Sequence, residues 1–353
     1  MENLHIWVRA ENRNNEKRVC ITPEGAQKLL EKGFNVSVEK SDVRIIPTFK
    51  YRDAGCEIVA ENSWPAAPLD TFILGLKELP ANENPVSHRH IMFGHAFKGQ
   101  KSGRNLLKRF KAGKGILYDL EYLLDVSGNR IAAFGYWAGF AGAVISLKCW
   151  AAQRKNNVCG PVFYYGNKTE MLNELKEEIQ EFCDVLPSAI ILGALGRVGR
   201  GVATVCRELN IPTTLWDIKE TAHGGPFPEI FKHQLLFNCV LAKPGCPKFI
   251  SFNQLELERK LRVIGDISCD PESDFNPIPL YRKATDWAKP AKRVVDTPPL
   301  DIVAIDNLPS LLPFESSLDF SEQLLPYLLT LNKSDAIVWR NAEKKFYEKI
   351  TEE

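Results

Sequence analysis

Short apolar runs alternate with amphipathic stretches of helical pattern through the first third of this 353-residue chain. LHIWVRAE, NVSVEK, TFILGLK, HIMFGHAF and GILYDLEYL read as strands, and TPEGAQKLLEKGF and SGRNLLKRFKAG read as helices. Thr22 stands where an N-cap belongs, with Pro23 in the first helical position and Glu24 in the first turn. Strands that alternate with helices pair in parallel and are covered on both faces, so the chain is α/β. At this length one core is not expected to suffice, and a second β/α series follows. It holds SAIILGALGRVGRGVATVCRELN, TTLWDI, and the strand-like runs FNCVLA, KFIS and LRVIGDIS. Residues 271–299 are rich in proline and charge, with short strands at best. The amphipathic C-terminal stretch is expected to return and pack on the first domain.

Composition excludes more than it assigns. A formal charge of +1 gives no bulk attraction to nucleic acid or to an anionic membrane. Ile131 to Leu147 is uncharged but just short of a span and broken by three glycines. It reads as a buried helix leading from one domain into the next, with the glycines allowing close packing. Nine cysteines lack regular spacing, although Cys239 and Cys246 could approach each other and Cys159 and Cys183 flank a predicted helix. The odd count and the absence of a secretory-type leader point to buried thiols in a reducing compartment. The C-terminus, YEKITEE, lacks a peroxisomal tripeptide, which leaves the cytoplasm as the expected location.

Two of the apolar runs end on residues that can move a proton. Lys77 follows Phe72-Ile73-Leu74, and His95 follows Ile91-Met92-Phe93. As neighbouring strands of a parallel sheet they would bring both groups to its carboxyl edge, where open α/β sheets bind ligands. Burial pulls a lysine toward neutrality, and histidine starts near it. Glu78 and Glu121 are carboxylates near the same strand ends. Arg18, before VCITPEG, and Arg130, before AAFG, are candidates for gripping a carboxylate with two parallel hydrogen bonds. His88, His90 and His95 form an H-x-H-x4-H pattern, but His95 falls on the opposite strand face and no carboxylate completes a set, so no metal is expected.

SAIILGALGRVGRGVATV reads as strand, glycine turn, helix. Gly196 and Gly199 satisfy the later part of the dinucleotide spacing, with Ala194 in the first glycine position. A phosphate-binding turn needs no side chain where backbone meets pyrophosphate and where helix meets strand. Asp217 ends TTLWD 18 residues after Gly199, where an acid bonds the ribose hydroxyls of NAD and repels the extra phosphate of NADP. Arg197 inside the turn leans the other way, and Asp217 outweighs it, so NAD is the expected cofactor.

NNEKRVCITPEGAQKLLEKGFNV resembles the N-terminal signature of the alanine dehydrogenase and transhydrogenase superfamily. FILGLKELP, HIMFGHAFKGQ, RIAAFGYWAGFAGA, GALGRVGRG, WDIKET with GGPFPEI, and IDNLPSLLP resemble the NAD-dependent, L-lysine-forming saccharopine dehydrogenases of fungi, over about Ile6 to Phe346. The resemblance implies two Rossmann-like domains with parallel sheets around an interdomain cleft. Residues 1–133 plus 314–353 would form the substrate domain and 134–313 the NAD domain. It implies oxidation of saccharopine by NAD and hydrolysis of the imine to L-lysine and 2-oxoglutarate, in a monomer. The acid–base pair falls on Lys77 and His95, and substrate contacts on Arg18, Glu78, Gln100, Arg130 and Phe134. Cofactor contacts fall on Gly196, Arg197, Asp217, Thr221 and the turn Ile305, Asp306, Asn307, Leu308. Val198 stands where some relatives carry cysteine, so no redox role is expected there. An alanine dehydrogenase and a non-catalytic NAD-binding module are the competing readings.

Overall fold

The protein's computed structural model describes residues 4–13, 15–180, 185–333 and 335–351. Cys183 lies outside them, and the eight described cysteines are free thiols. The chain forms two compact units, one from the residues up to Ala133 together with those from Pro313 on, the other from Phe134–Leu312.

The first unit opens with β1 (His5–Val8), α1 (Pro23–Glu31), β2 (Asn35–Glu39), α2 (Thr48–Asp53) and β3 (Glu57–Val59). It continues with β4 (Phe72–Leu74), β5 (Arg89–Met92), α3 (Lys101–Gly113) and β6 (Ile116–Asp119). The strands lie in the order β3-β2-β1-β4-β5-β6, all parallel. The order reverses direction between β1 and β4, which places a ligand crevice at their carboxyl ends. α1 starts where the sequence puts it, because the Thr22 hydroxyl accepts from the Gly25 N–H. β4 is apolar throughout and fully buried, as a central strand covered on both faces must be.

The second unit contains α4 (Gly135–Arg154), α5 (Lys168–Gln180), β7 (Ala189–Leu192), α6 (Arg197–Glu208), β8 (Thr213–Trp216) and the one-turn α7 (Ile218–Thr221). β9 (Leu235–Asn238), β10 (Val263–Asp266), β11 (Lys292–Val295) and β12 (Leu300–Val303) complete it. The order is β11-β12-β10-β9-β7-β8, with β11 antiparallel to its neighbour. Both sheets are thus mainly parallel, as expected, and the antiparallel β11 is a short strand within the proline- and charge-rich residues 271–299. Four residues join β11 to β12, enough for a hairpin and far too few for a crossover. KFIS is not a strand. Phe249 and Ile250 are buried, but Phe249 bonds the Phe227 N–H and the Pro277 carbonyl, both in loops.

The chain then returns to the first unit with α8 (Pro313–Leu328) and α9 (Ile337–Thr351). α8 docks on the start of α1 through Ser317 and Ser321, whose hydroxyls accept from the Val19 and Thr22 N–H groups at 2.9 and 3.0 Å. α9 covers β6 and α3, with Phe346 against Phe110 and Glu343 accepting from the Tyr118 hydroxyl at 2.9 Å.

α4 is the centre of the second unit's core, buried on nearly all sides from Gly139 to Ala151. No described helix is long and apolar enough to cross a membrane. α4 lies against α6 so closely that a methyl group on Gly139 would sit 1.9 Å from the Val198 carbonyl oxygen. The neighbour is backbone, so it cannot rotate away. Gly139→Ala is expected to destabilise the protein by about 3 kcal/mol, at the upper end of overpacking costs, read as a lowered urea midpoint.

Candidate active site

In the first unit, β1 runs out into Arg9 and Glu11, and β4 into Gly75 and Lys77. The Arg9 guanidinium is buried and lies across Gly75, where any Cβ would fall 2.2 Å from its Nε. Arg9 donates to the Lys77 carbonyl and pairs with Glu11 at 3.5 Å. Glu11 in turn accepts the N–H groups of Leu76 and Lys77 at 2.6 and 2.9 Å. The backbone of Lys77 is therefore held from both sides. Arg9 and Glu11 went unnoticed in the sequence, since charges at a strand end are usually solvated.

Arg18 lies in the interior. It is 3% exposed, and its guanidinium makes a two-pronged contact with Glu16, with both distances 2.7 Å. Burial alone would raise the Glu16 carboxyl, but Arg18 and, beyond it, the Lys77 charge hold it below its ordinary value. Glu78 pairs with Arg13. Burial opposes its ionisation, and its own backbone N–H, Arg13 and His95 outweigh that, so it too sits low.

His95 follows β5, the strand beside β4, and adopts a left-handed backbone with φ of 48°. Its ring stacks on Phe93, and its Nδ1 lies 3.7 Å from Glu121 Oε2, an ion-pair distance rather than a hydrogen bond. Glu121 also meets Lys98 and Arg130, each at 2.8 Å. His95, then Lys98 and Arg130, pull this carboxyl down to about 2 against the effect of burial. Two residues earlier, Asp119 ends β6 and is 1% exposed. Burial pushes it up to about 6; the Glu121 N–H works against this, and the Glu121 charge reinforces it. Asp119 was also missed, although an acid closing the apolar run ILYD was a visible signal.

Glu78, His95 and Gln100 line one cavity of about 1080 Å³, with Arg13, Gly94 and Lys101. Gln100 stands at the N-cap of α3 without bonding the helix through its side chain. Arg18 and Arg130 are not among the lining residues, and they join the same neighbourhood through Glu16 and Glu121. His88 and His90 point away from it. They are buried against Trp64, with His88 bonded to the Ala67 carbonyl. Among the described residues no three ligating side chains gather as a metal site would require.

In the second unit, β7 ends at Gly193, whose φ of 79° favours glycine. Gly196 is the N-cap of α6, and no side chain caps that helix. A Cβ on Gly199 would lie 2.3 Å from the Gly193 carbonyl oxygen, so the turn can close only on glycine. Arg197 is the exposed first residue of α6. Asp217 follows β8 and accepts the N–H groups of Leu195 and Ile218, both at 2.9 Å, which ties it to the turn. The Thr221 hydroxyl donates to the Asp217 carbonyl. The 305–308 turn follows β12 at the same carboxyl edge. Asp306 and Asn307 reach its surface, while Ile305 and Leu308 are core residues. Phe134 is the N-cap of α4. An uncapped helix N-terminus after a glycine turn, with an acid on the next strand, fits a dinucleotide.

The class these features define is that of the NAD-linked dehydrogenases built like alanine dehydrogenase. Residues 7–141 match the alanine dehydrogenase/PNT N-terminal domain family. An L-alanine dehydrogenase structure superposes with a TM-score of 0.69 at 18% identity, covering 98% of this chain and 94% of its own. A transhydrogenase from Sinorhizobium meliloti gives 0.62 at 15% identity over 93% of each chain. More specific are the saccharopine dehydrogenases (NAD(+), L-lysine-forming) of two yeasts. That of Yarrowia lipolytica is 44% identical over 97% of this chain and 96% of its own length, and that of Schizosaccharomyces pombe 41% over 99% and 98%. The chain belongs to the NAD(+)-dependent, L-lysine-forming saccharopine dehydrogenase family.

The raised Asp119 carboxyl has a measurable consequence. In the folded protein it keeps its proton to about 6, whereas its ordinary value is 3.8. Its contribution to stability is complete below the lower value and is lost as pH rises through the higher one. Asp119→Asn should therefore stabilise the protein at pH 7 by about 2–3 kcal/mol, a gain that fades toward zero at pH 4. Urea unfolding at the two pH values checks this, and equal shifts at both would assign the effect to packing instead.

Proposed function

We infer that this chain oxidises saccharopine with NAD and hydrolyses the product imine to L-lysine and 2-oxoglutarate. The observation that carries the reading is 40–44% identity to lysine-forming saccharopine dehydrogenases along nearly the whole chain, joined to an acid–base pair on adjacent strand ends. Only the chain's own groups need to be assigned for the proton work.

A dinucleotide held at the glycine turn by Gly196, Arg197 and Asp217 would supply the acceptor for the hydride on the carbon that bears the substrate's secondary amine. The Gly193–Gly199 turn and the uncapped start of α6 are the proposed pyrophosphate cradle, with Arg197 at its mouth. Asp217 and Thr221 take the ribose side, and the 305–308 turn takes the far end, through backbone at Ile305 and Leu308. Asp217 makes NAD the cofactor by repelling a 2′-phosphate.

Lys77 and His95 share the proton steps. The secondary ammonium must lose a proton before hydride leaves. The attacking water must lose one, and the departing lysine nitrogen must gain one. Two groups in different surroundings can cover these steps where one cannot. The fixed backbone at Lys77 and the strand-end position of His95 support this pairing. Saccharopine carries three carboxylates, and Arg18 and Arg130 are the proposed grips, with Glu16 and Glu121 keeping both forks in place. Gln100, Glu78 and Phe134 are proposed to complete the substrate contacts. The active form is proposed to be a monomer in the cytoplasm, working on small molecules alone.

The assay is absorbance in the NADH band with NAD and either saccharopine or alanine. A rise with saccharopine alone, matched by lysine release, is expected, and a rise with alanine would move the chain to the alanine dehydrogenase reading. Lys77→Met and His95→Gln should each lose a factor of about 10² to 10⁴ in turnover while NAD binding persists. Asp217→Ala should lower kcat/KM for NAD and raise it for NADP, narrowing the preference by roughly tenfold or more. An unchanged ratio would place cofactor choice elsewhere.

A further inference from the structure

The second unit has a cavity of about 800 Å³ that none of the chemistry above uses. It lies at the opposite edge of the sheet from the glycine turn. Gln234 precedes β9, Arg262 precedes β10 and Pro299 precedes β12, and all three border it. These strands are parallel to β7, so their first residues share the amino edge, while the turn at Gly193 follows the carboxyl end. A four-residue strand separates the two by roughly 13 Å.

The lining is strongly cationic. Among the described residues, Arg154, Arg259, Lys260 and Arg262 face it against a single carboxylate, Glu258. Among the described residues none of the four cations has an ion-pair partner. Arg259 is 7% exposed, and its guanidinium donates to the carbonyls of Leu261 and Pro298. Arg262 donates to those of Arg259 and Leu261. Carbonyl oxygens satisfy N–H groups but leave the charge in place. The one nearby buried acid, Asp301, is already taken by Arg293 at 2.5 Å and by Gln153. Burial and the neighbouring arginines accordingly make Arg259 and Arg262 weaker bases than usual: Arg262 presses on Arg259, and Arg154 on Arg262.

A second observation points to a ligand. Gln153 borders the cavity and is 9% exposed. Its amide nitrogen donates to the Arg262 carbonyl at 2.9 Å and the Asp301 carboxylate at 2.7 Å. Both partners are acceptors only, so the amide cannot be turned round. Its oxygen is buried and receives no hydrogen bond from any described residue. A buried acceptor left without a donor is costly, and the cavity is where a donor can enter.

We propose that this cavity binds a small phosphate-bearing molecule, held by Arg154, Arg259, Lys260 and Arg262, with a hydroxyl of the ligand or its hydration water donating to Gln153. A phosphate offers at least three acceptor oxygens around one centre and matches several cations at once, whereas one carboxylate is satisfied by one guanidinium. The source is either an organic phosphate ester or free inorganic phosphate.

The test is calorimetric titration of the full chain with ribose 5-phosphate, inorganic phosphate and 2-oxoglutarate. The readout is binding, so it is independent of which substrate the enzyme oxidises. Saturable binding of a phosphate is expected, weakened at least tenfold in an Arg154→Gln/Lys260→Gln double variant and unchanged in Arg197→Gln at the glycine turn. Lys260 makes no side-chain hydrogen bond or ion pair among the described residues, and Arg154 only lies over the Trp150 ring at 5.9 Å. A melting temperature close to the parent's is therefore expected, and Lys260→Gln alone should already weaken phosphate binding. A preference for ribose 5-phosphate that Gln153→Leu removes supports the ester, and equal affinity for both phosphates supports the free ion. No phosphate binding, binding indifferent to the double variant, loss in Arg197→Gln instead, or 2-oxoglutarate binding that the double variant weakens more than phosphate binding would overturn the proposal.

Discussion

The buried Arg9–Glu11 pair is the contact on which the first unit's site depends. A guanidinium and a carboxylate at the end of a central strand are expensive to bury unless each finds partners. Here the partners are the backbone groups of Leu76 and Lys77, at the end of the neighbouring strand. The pair therefore fixes the direction in which the chain leaves β4, and with it the origin of the Lys77 side chain. Gly75 is part of the same device, because any side chain there would displace Arg9. Removing one partner would leave the other charge buried alone, so the three residues act as a unit.

Two carboxylates at the end of β6 show how position divides protonation within a few ångströms. Asp119 sits in the dry interior and rises to about 6, while Glu121, ringed by His95, Lys98 and Arg130, falls to about 2. The ordering is stable because the two acids reinforce it: the fixed negative charge on Glu121 helps to keep Asp119 protonated. His95 thus faces a permanent anion on one side and a titrating acid behind it.

How much of this was legible depended on whether the signal was local. The limits of α1, the glycine turn and the strand-end positions of Lys77, His95 and Asp217 follow from spacing and capping within a few residues. KFIS failed because two buried apolar residues look the same in a strand and in a loop whose backbone bonds other loops. β11 could not be placed because a four-residue strand in a proline- and charge-rich segment carries too little periodicity to be told from loop. The burial of Arg18 was not legible, because its partner, Glu16, is no clue to burial at that spacing. Its enclosure depends on tertiary packing around the α1 entry. Arg9, Glu11 and Asp119 share this trait, for their importance lies in desolvation, which no pattern of residue types encodes.

The second unit handles its charges in two opposite ways, and the contrast is informative. Asp301, wholly buried, is matched by Arg293 and Gln153, so that pair belongs to the fold. The arginines at the amino edge are matched by carbonyls alone and repel one another. Neither β10 nor its neighbours need them, since the strands are held by ladder bonds and by the apolar residues of the core. Among the described residues no acid answers these cations, which leaves room for a counter-charge from a ligand. The unanswered oxygen of Gln153 adds a requirement for a hydrogen-bond donor at the same place. Together they specify an anion that carries a donor or brings one with its water, and they do so without reference to the reaction at the other edge of the sheet.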